Sequence, residues 1–245
     1  MTRKQYFLSG LKDGMPICFG YFAVSFAFGI QAAGIGLSVF EASVLSALNV
    51  TSAGQFAALA IIASGASLIE LAFTQLIINL RYFLMSCALS QKLSPSLPLG
   101  HRLGIAYGMT DEIFAVSVSQ REPLSPFYSY GLIAVAIPGW VLGTALGAAA
   151  GNILPAVLTN ALGIAIYGMF IAIILPPAKE NRVVAGVVVL SMVFSALFTY
   201  LPVLCNISSG FRIIVITLIT AGGAALLFPI PDEPAEPEKE MPHES

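Results

Sequence analysis

Apolar positions in this chain do not alternate with polar ones; they run on. Residues 14–40, 42–69, 123–178, 183–211 and 213–231 hold no charged residue, and 71–91 holds only Arg81. About 20 consecutive apolar residues carry a helix across the hydrocarbon core of a bilayer. Each run is therefore long enough to span. The 123–178 run is long enough for two helices, with a break expected near Gly151, Asn152 and Pro155. This pattern predicts seven spans, and 103–120 is an eighth candidate that carries Asp111 and Glu112.

The cations arbitrate, because Lys and Arg near span ends collect on the cytoplasmic side. With 103–120 counted and a cytoplasmic N-terminus, Arg3, Lys4, Lys12, Arg121, Lys179, Arg182 and Lys239 fall inside, and Lys92, Arg102 and Arg212 outside. Without it the bias reverses. The expectation is an all-α polytopic membrane protein of about eight transmembrane helices, seven if 103–120 does not span, with both termini cytoplasmic. Residues 1–13 form a cytoplasmic or interfacial N-terminus and 14–228 the membrane domain. Residues 229–245 are rich in Pro and acids (Asp232, Glu233, Glu236, Glu238, Glu240 and Glu244) and form a disordered cytoplasmic tail.

Composition agrees. Charged residues are 10% and apolar residues 57%, with a mean hydropathy of +0.88, whereas soluble domains carry about 25% charge. No basic cluster interleaved with aromatics points to nucleic acid. Cys18, Cys87 and Cys205 sit in apolar stretches without paired spacing and read as small buried hydrophobes. The sequence has no HExxH, no GxSxG and no phosphate-cradling glycine loop, and His101 and His243 stand alone. An enzyme, a metal centre or a bound cofactor is therefore not expected.

Several polar and small residues interrupt the apolar runs. Gly139, Gly143, Gly147 and Gly151 recur every fourth residue and make a smooth ridge against which another helix can pack. In 71–91, Gln75, Asn79, Tyr82 and Ser86 share one helix face, while Glu70, Thr74 and Arg81 share another. An arginine at mid-span costs about 2.5–3.5 kcal/mol to insert, so it needs a partner or an aqueous cavity. Asp111 and Glu112 can supply that partner. They point about 100° apart on a helix, so one of them faces Arg81, and Tyr107 lies one turn before Asp111 on the same face. Such a carboxylate suits proton coupling and equally a static ion pair. Gln55, a long amide among Ala and Phe, is a candidate for lining a polar site. A faint echo of Phe28-Gly29, Gly34 and Leu37 in Leu146-Gly147, Gly151 and Leu154 hints at an internal repeat, common in transporters.

With these residues in place, the chain resembles the AzlC-like family, the large permease subunits of branched-chain amino acid exporters. The matching pieces are Gly14-Met15-Pro16-Ile17 with Gly20, Phe28-Gly29, Ala53-Gly54-Gln55-Phe56, Asn79-Leu80-Arg81-Tyr82 and Thr110-Asp111-Glu112. They follow in order over about residues 5–225. The resemblance implies export of branched-chain amino acids, with methionine as a further substrate, across a bacterial inner membrane. It also implies a small multi-span AzlD-like partner subunit. A secondary exporter would use Gln55, Asn79, Arg81 and Tyr82 for substrate, and Asp111 or Glu112 for a proton or an ion pair. A non-transporting assembly subunit and a passive channel for small solutes remain as alternatives.

Overall fold

Thr2 opens the first helix. Its hydroxyl accepts the Gln5 amide while the Gln5 side chain accepts the Thr2 amide, a reciprocal cap. Helix α1 (Arg3–Gly34) then runs to a turn closed by Gly36, whose φ of 91° only glycine adopts easily. The computed structural model describes residues 2–120, 123–151, 153–154, 168, 171, 174–201, 204 and 207–229. The break at Asn152 and Pro155, most of the span expected within 152–178, Cys205 and the acidic tail from residue 230 lie outside them.

Helix α7 (Pro126–Gly151) packs on α1 along its length in one register. Gly10 meets Gly131, Gly14 meets Val135, Cys18 meets Gly139, Phe22 meets Gly143, Phe26 meets Gly147 and Ile30 meets Gly151. The numbers rise together, so the two helices are parallel. Their starts define a near face and their ends a far face. All four glycines of the ridge turn to α1. A Cβ on Gly147 would run into the Phe26 carbonyl oxygen and one on Gly143 into Ser25 Oγ, whereas one on Gly151 would meet Ala33 Cβ and Ile30 Cα at 3.2 Å. The helices also carry prolines at matching heights, Pro16 and Pro138, each removing one helical hydrogen bond.

The 42–69 run is not one span. It forms α2 (Val39–Leu48) and α3 (Ser52–Ala63), broken at residues 49–51. Ala42, early in α2, and Leu59, late in α3, are buried in one cluster with Phe28, Ala32 and Ala148 near the far face. Between them, Gln55 donates to Ser46 Oγ (2.9 Å) and accepts from Trp140 Nε1 (2.8 Å), closer to mid-height. The pair is thus a re-entrant hairpin that enters and leaves by the far face. Helix α4 (Leu68–Lys92) crosses to the near face. Its Gln75 amide donates to the Gly54 carbonyl at hairpin-tip level (2.8 Å), and its terminal Lys92 ammonium donates to the Val118 carbonyl (2.6 Å).

Residues 103–120 repeat the arrangement upside down. Helices α5 (Leu99–Tyr107) and α6 (Asp111–Val118) are broken at residues 108–110. Arg102, early in α5, donates to Ser90 Oγ and the Ser94 carbonyl, and Val118, ending α6, meets Lys92. Both hairpin ends therefore lie at the near face. The break also separates Tyr107 from the Asp111 face that helical spacing predicts for it. The Tyr107 hydroxyl donates instead to the Ala47 carbonyl of the opposite hairpin (2.6 Å), so the two tips meet.

The units α1–α2–α3 and α4–α5–α6 are one motif in opposite orientations, a long helix followed by a hairpin folded back from the face where that helix ends. This is an inverted repeat of the kind seen in transporters. The echo between Phe28-Gly29 and Leu146-Gly147 is a different feature, the two sides of the α1–α7 seam, where Gly29 abuts Thr144, Gly147 and Ala148.

Two more span-length helices are described. They are α8 (Arg182–Tyr200) and α9 (Ser209–Leu227), the latter with a π-helical turn at Leu218–Gly222. The Gly210 amide donates to Glu70 at the far-face end of α4 (2.9 Å). Ser191 donates to Thr220 Oγ1 (3.1 Å), and the 182–183 end of α8 shares a groove with Leu227 and Phe228, so α8 and α9 are antiparallel. Among the described residues, five helices are long and apolar enough to cross a membrane. The all-α polytopic class is as expected. The number of crossings differs from a count of apolar runs, because two runs are hairpins.

This topology is open to a direct check. In a background lacking native cysteines, Ile35→Cys and Ser64→Cys are expected to react with an impermeant maleimide from the same side, and Ser96→Cys and Ser119→Cys from the other. Reaction of Ile35→Cys and Ser64→Cys from opposite sides would show that 42–69 crosses.

Candidate functional site

The two hairpin tips, α1, α4 and α7 line a half-open cavity of about 460 Å³, within the range of small-molecule sites. One wall is apolar, made by Ile17 and Val24 of α1, Val50 of the first tip and Trp140 of α7. The polar lining comes from the second tip, Tyr82 of α4 and Tyr21 of α1.

Local capping places the acids. Thr110 caps α6, its hydroxyl accepting the Ile113 amide (3.4 Å), so Asp111 and Glu112 occupy the first turn. Carboxylates are favoured there by the positive end of the helix. Their divergence on the helix then separates their partners. Asp111 Oδ2 pairs with Arg81 Nη1 at 2.8 Å, while Glu112 Oε2 accepts the Tyr21 hydroxyl at 2.6 Å. The Tyr21 oxygen also lies 2.5 Å from Thr110 Oγ1. Having one proton to give, the phenol gives it to the carboxylate. Arg81 stacks over the Tyr82 ring (4.9 Å) and donates to its hydroxyl (3.1 Å). The Arg81 and Asp111 side chains keep 41% and 45% of their surface exposed. Neither side chain of the pair is fully covered by the rest of the chain.

The first tip contributes a second helix start. Thr51 makes no side-chain cap to α3, and Ser52, the first residue of that helix, lines the cavity. The opening amides of a helix have no partner within it and carry its partial positive charge. Two half-helices thus point their positive ends at one space.

Of the residues singled out in the sequence, Tyr82, Asp111 and Glu112 line the cavity, and Arg81 reaches it through Asp111. Gln55 stands one layer behind. It is fully buried and holds the Trp140 indole, while Ser46, its other partner, is 2.6 Å from Thr144 Oγ1. Asn79 lies outside the lining. It donates to Gln75 Oε1 (3.2 Å), which Asn49 of the first tip also reaches (3.2 Å). The four glycines belong to the α1–α7 seam. Tyr21, Trp140 and Thr110 are site residues that sequence reasoning missed. The Thr110-Asp111-Glu112 run is a recognisable helix start, whereas nothing in an apolar run marks Tyr21 or Trp140. Tyr21 packs edge-on against Trp140 with ring centres 5.3 Å apart.

The AzlC protein family matches residues 16–154, from the Pro16 turn at the cavity through the end of α7. An uncharacterized membrane protein of Archaeoglobus fulgidus is 35% identical over 189 residues, covering 76% of this chain and 83% of its own length. The inner membrane protein YgaZ of Escherichia coli K12 is 31% identical over 184 residues, covering 72% of this chain and 75% of its own. No solved structure matches the chain.

Proposed function

The chain belongs to the AzlC family, which is associated with membrane transport, and from that footing we propose that it is a proton-driven secondary exporter of branched-chain amino acids. The observation that carries this reading is the Arg81–Asp111 pair beside a cavity lined by the tips of two opposed hairpins. A branched-chain amino acid is a small zwitterion with an aliphatic arm, and the cavity offers a surface for each part. Ile17, Val24, Val50 and Trp140 receive the arm. Glu112, with Tyr21 beside it, faces the ammonium. Arg81 takes the carboxylate in exchange for Asp111, helped by the positive ends of α3 and α6. Asp111, released from Arg81, then takes a proton. Gln55 and Asn79 serve by holding Trp140 and the first tip. The apolar wall also accommodates methionine.

Each hairpin covers the cavity from its own face, so displacing one at a time gives access from alternate sides. The near face is cytoplasmic in this reading. Arg3, Lys4, Lys12, Lys92, Arg102, Lys179 and Arg182 gather there, and Arg212 lies by the far face. Lys92 and Arg102 fall on that side because 42–69 and 103–120 do not cross. The membrane is the bacterial inner membrane, as the name of the Escherichia coli relative suggests for that protein. A small multi-span AzlD-like subunit completes the transporter. It would lie against lipid-facing helices such as α8, none of whose residues is buried within this chain.

The test is efflux of labelled leucine from preloaded vesicles, with and without the partner subunit. Leucine efflux that follows an imposed pH gradient is expected when both subunits are present. Vesicles that retain leucine under every gradient would leave only the assembly role. Efflux of any small solute without saturation would instead identify a passive channel.

A further inference from the structure

Far from the cavity acids, a third carboxyl is buried inside the bundle. Glu70, in the first turn of α4, retains 5% of its surface, and among the described residues no cation lies within ion-pair distance of it. Its Oε1 accepts the Gly210 amide at the start of α9. One turn along α4, Thr74 is fully buried, and its hydroxyl has no partner. That hydroxyl points to the same place as Glu70, since a Cβ on Gly210 would lie 2.6 Å from Glu70 Oε1 and 2.7 Å from Thr74 Oγ1. Ser208 and Ser209, just before the Gly210 amide, also have buried hydroxyls without partners.

Among the described residues, no charged side chain makes an ion pair with the site. Helix α3 carries no titratable residue, and α9 carries Arg212, whose Nε donates to the Ile207 carbonyl (2.6 Å). The next charge on α4 is Arg81, three turns away and paired with Asp111. An unpaired carboxylate inside a membrane is costly, and such residues mark ion and proton pathways. The α9 amide meets part of that cost, and the Thr74 hydroxyl beside it is open to a further hydrogen bond.

We propose that Glu70 is the far-face proton-uptake group of the exporter, binding a proton that then passes along α4 toward Asp111. The inference rests on the exporter reading and adds the route of the driving ion. Between the two acids, Thr74 Oγ1 is a buried oxygen without a partner on the helix face that carries Arg81, the kind of position that ordered water bridges. The step is a proton transfer alone. The Glu70 carboxylate gains a proton from water at the far face and loses it toward the Asp111 carboxylate, which is free to accept when substrate holds Arg81. Protonated Glu70 also gives up its hold on the α9 amide, which loosens that helix start.

Purified protein with its partner subunit, in vesicles enclosing a pH-sensitive dye, separates the outcomes. Glu70→Gln is expected to keep leucine–leucine exchange, which needs no net proton movement, and to lose both pH-driven efflux and proton uptake. Glu70→Asp is expected to regain part of both. Proton uptake per leucine unchanged in Glu70→Gln would overturn the proposal. Loss of exchange together with coupling would do so too, marking Glu70 as a fastener for α9. Wild-type efflux that follows a sodium gradient and ignores pH would mean that the site takes a metal cation rather than a proton. If wild-type vesicles exchange no leucine, the exporter reading fails, and an infrared titration in detergent still decides Glu70. A protonated-carboxyl band present in wild type and absent in Glu70→Gln supports the assignment, and identical bands in both reject it.

Discussion

Arg81→Ala is expected to lower leucine efflux by on the order of 100-fold at matched membrane abundance, the worth of a well-placed charged contact of about 2–3 kcal/mol. Asp111→Ala is expected to be similarly inactive, for a different reason. It leaves Arg81 without its 2.8 Å partner and, in the proposed mechanism, removes the acid that takes the proton. The double variant separates binding from assembly. If the pair only fastened α4 to the second hairpin, removing both charges would leave no lone ion in the membrane, and activity would return. The exchange of partners described above predicts that the double variant reaches normal abundance and stays inactive. Glu112→Gln keeps the shape of the side chain and a bond to Tyr21 while removing the charge proposed to face the ammonium. Its expected signature is a raised KM for leucine with an intact fold.

The other large effect is structural. Gly147→Leu is expected to abolish accumulation of folded protein, because the Phe26 carbonyl already occupies the space a Cβ would need. A backbone atom cannot swing aside as a side-chain tip can, so α1 and α7 must separate to admit the change. Gly147→Ala is expected to lower yield in the same direction. Gly151→Ala, whose added carbon would meet its nearest neighbours at 3.2 Å, is expected to be tolerated. The comparison is made by membrane abundance and by retention of a single peak on size-exclusion chromatography. Normal behaviour of Gly147→Leu would mean that the α1–α7 seam is not a close backbone contact.

The long helices were legible because hydropathy reports length, and α1, α4 and α7 are long. Hydropathy does not report direction. Val50 and Met109 are apolar residues at the two breaks, so an apolar run passes through each turn without a mark. The marks that do exist are local ones. Asn49 and Gly108 open the two breaks, Thr51 precedes α3, and Thr110 caps α6 as polar residues commonly do. Charge bias depends on the number of crossings, and it set Lys92 and Arg102 on the side opposite Arg3 because it took each apolar run for a crossing.

The site was legible in part for a similar reason. Arg81 and the Asp111-Glu112 pair stand out because charge is rare in these runs. Their division of labour followed from the angle between neighbours on a helix, although which acid met Arg81 required the structure. Gln55 was conspicuous for its polarity, but that polarity is spent on Ser46 and Trp140 behind the cavity wall. Tyr21 and Trp140 became visible only when the parallel register of α1 and α7 brought them together. Glu70 sat at the border of two apolar runs, on the helix face of Thr74 and Arg81, with nothing to mark its depth. Only the docking of α9 shows that it is buried.

The claim at the centre of this account is that substrate sits between the tips of two hairpins that enter from opposite faces. Labelling of Ser52→Cys on the first tip and Thr110→Cys on the second tests it most directly, in vesicles with the partner subunit present. Leucine is expected to slow maleimide reaction at both positions, and lysine, with its charged arm, to slow neither. Equal labelling rates with and without leucine at both tips would contradict it.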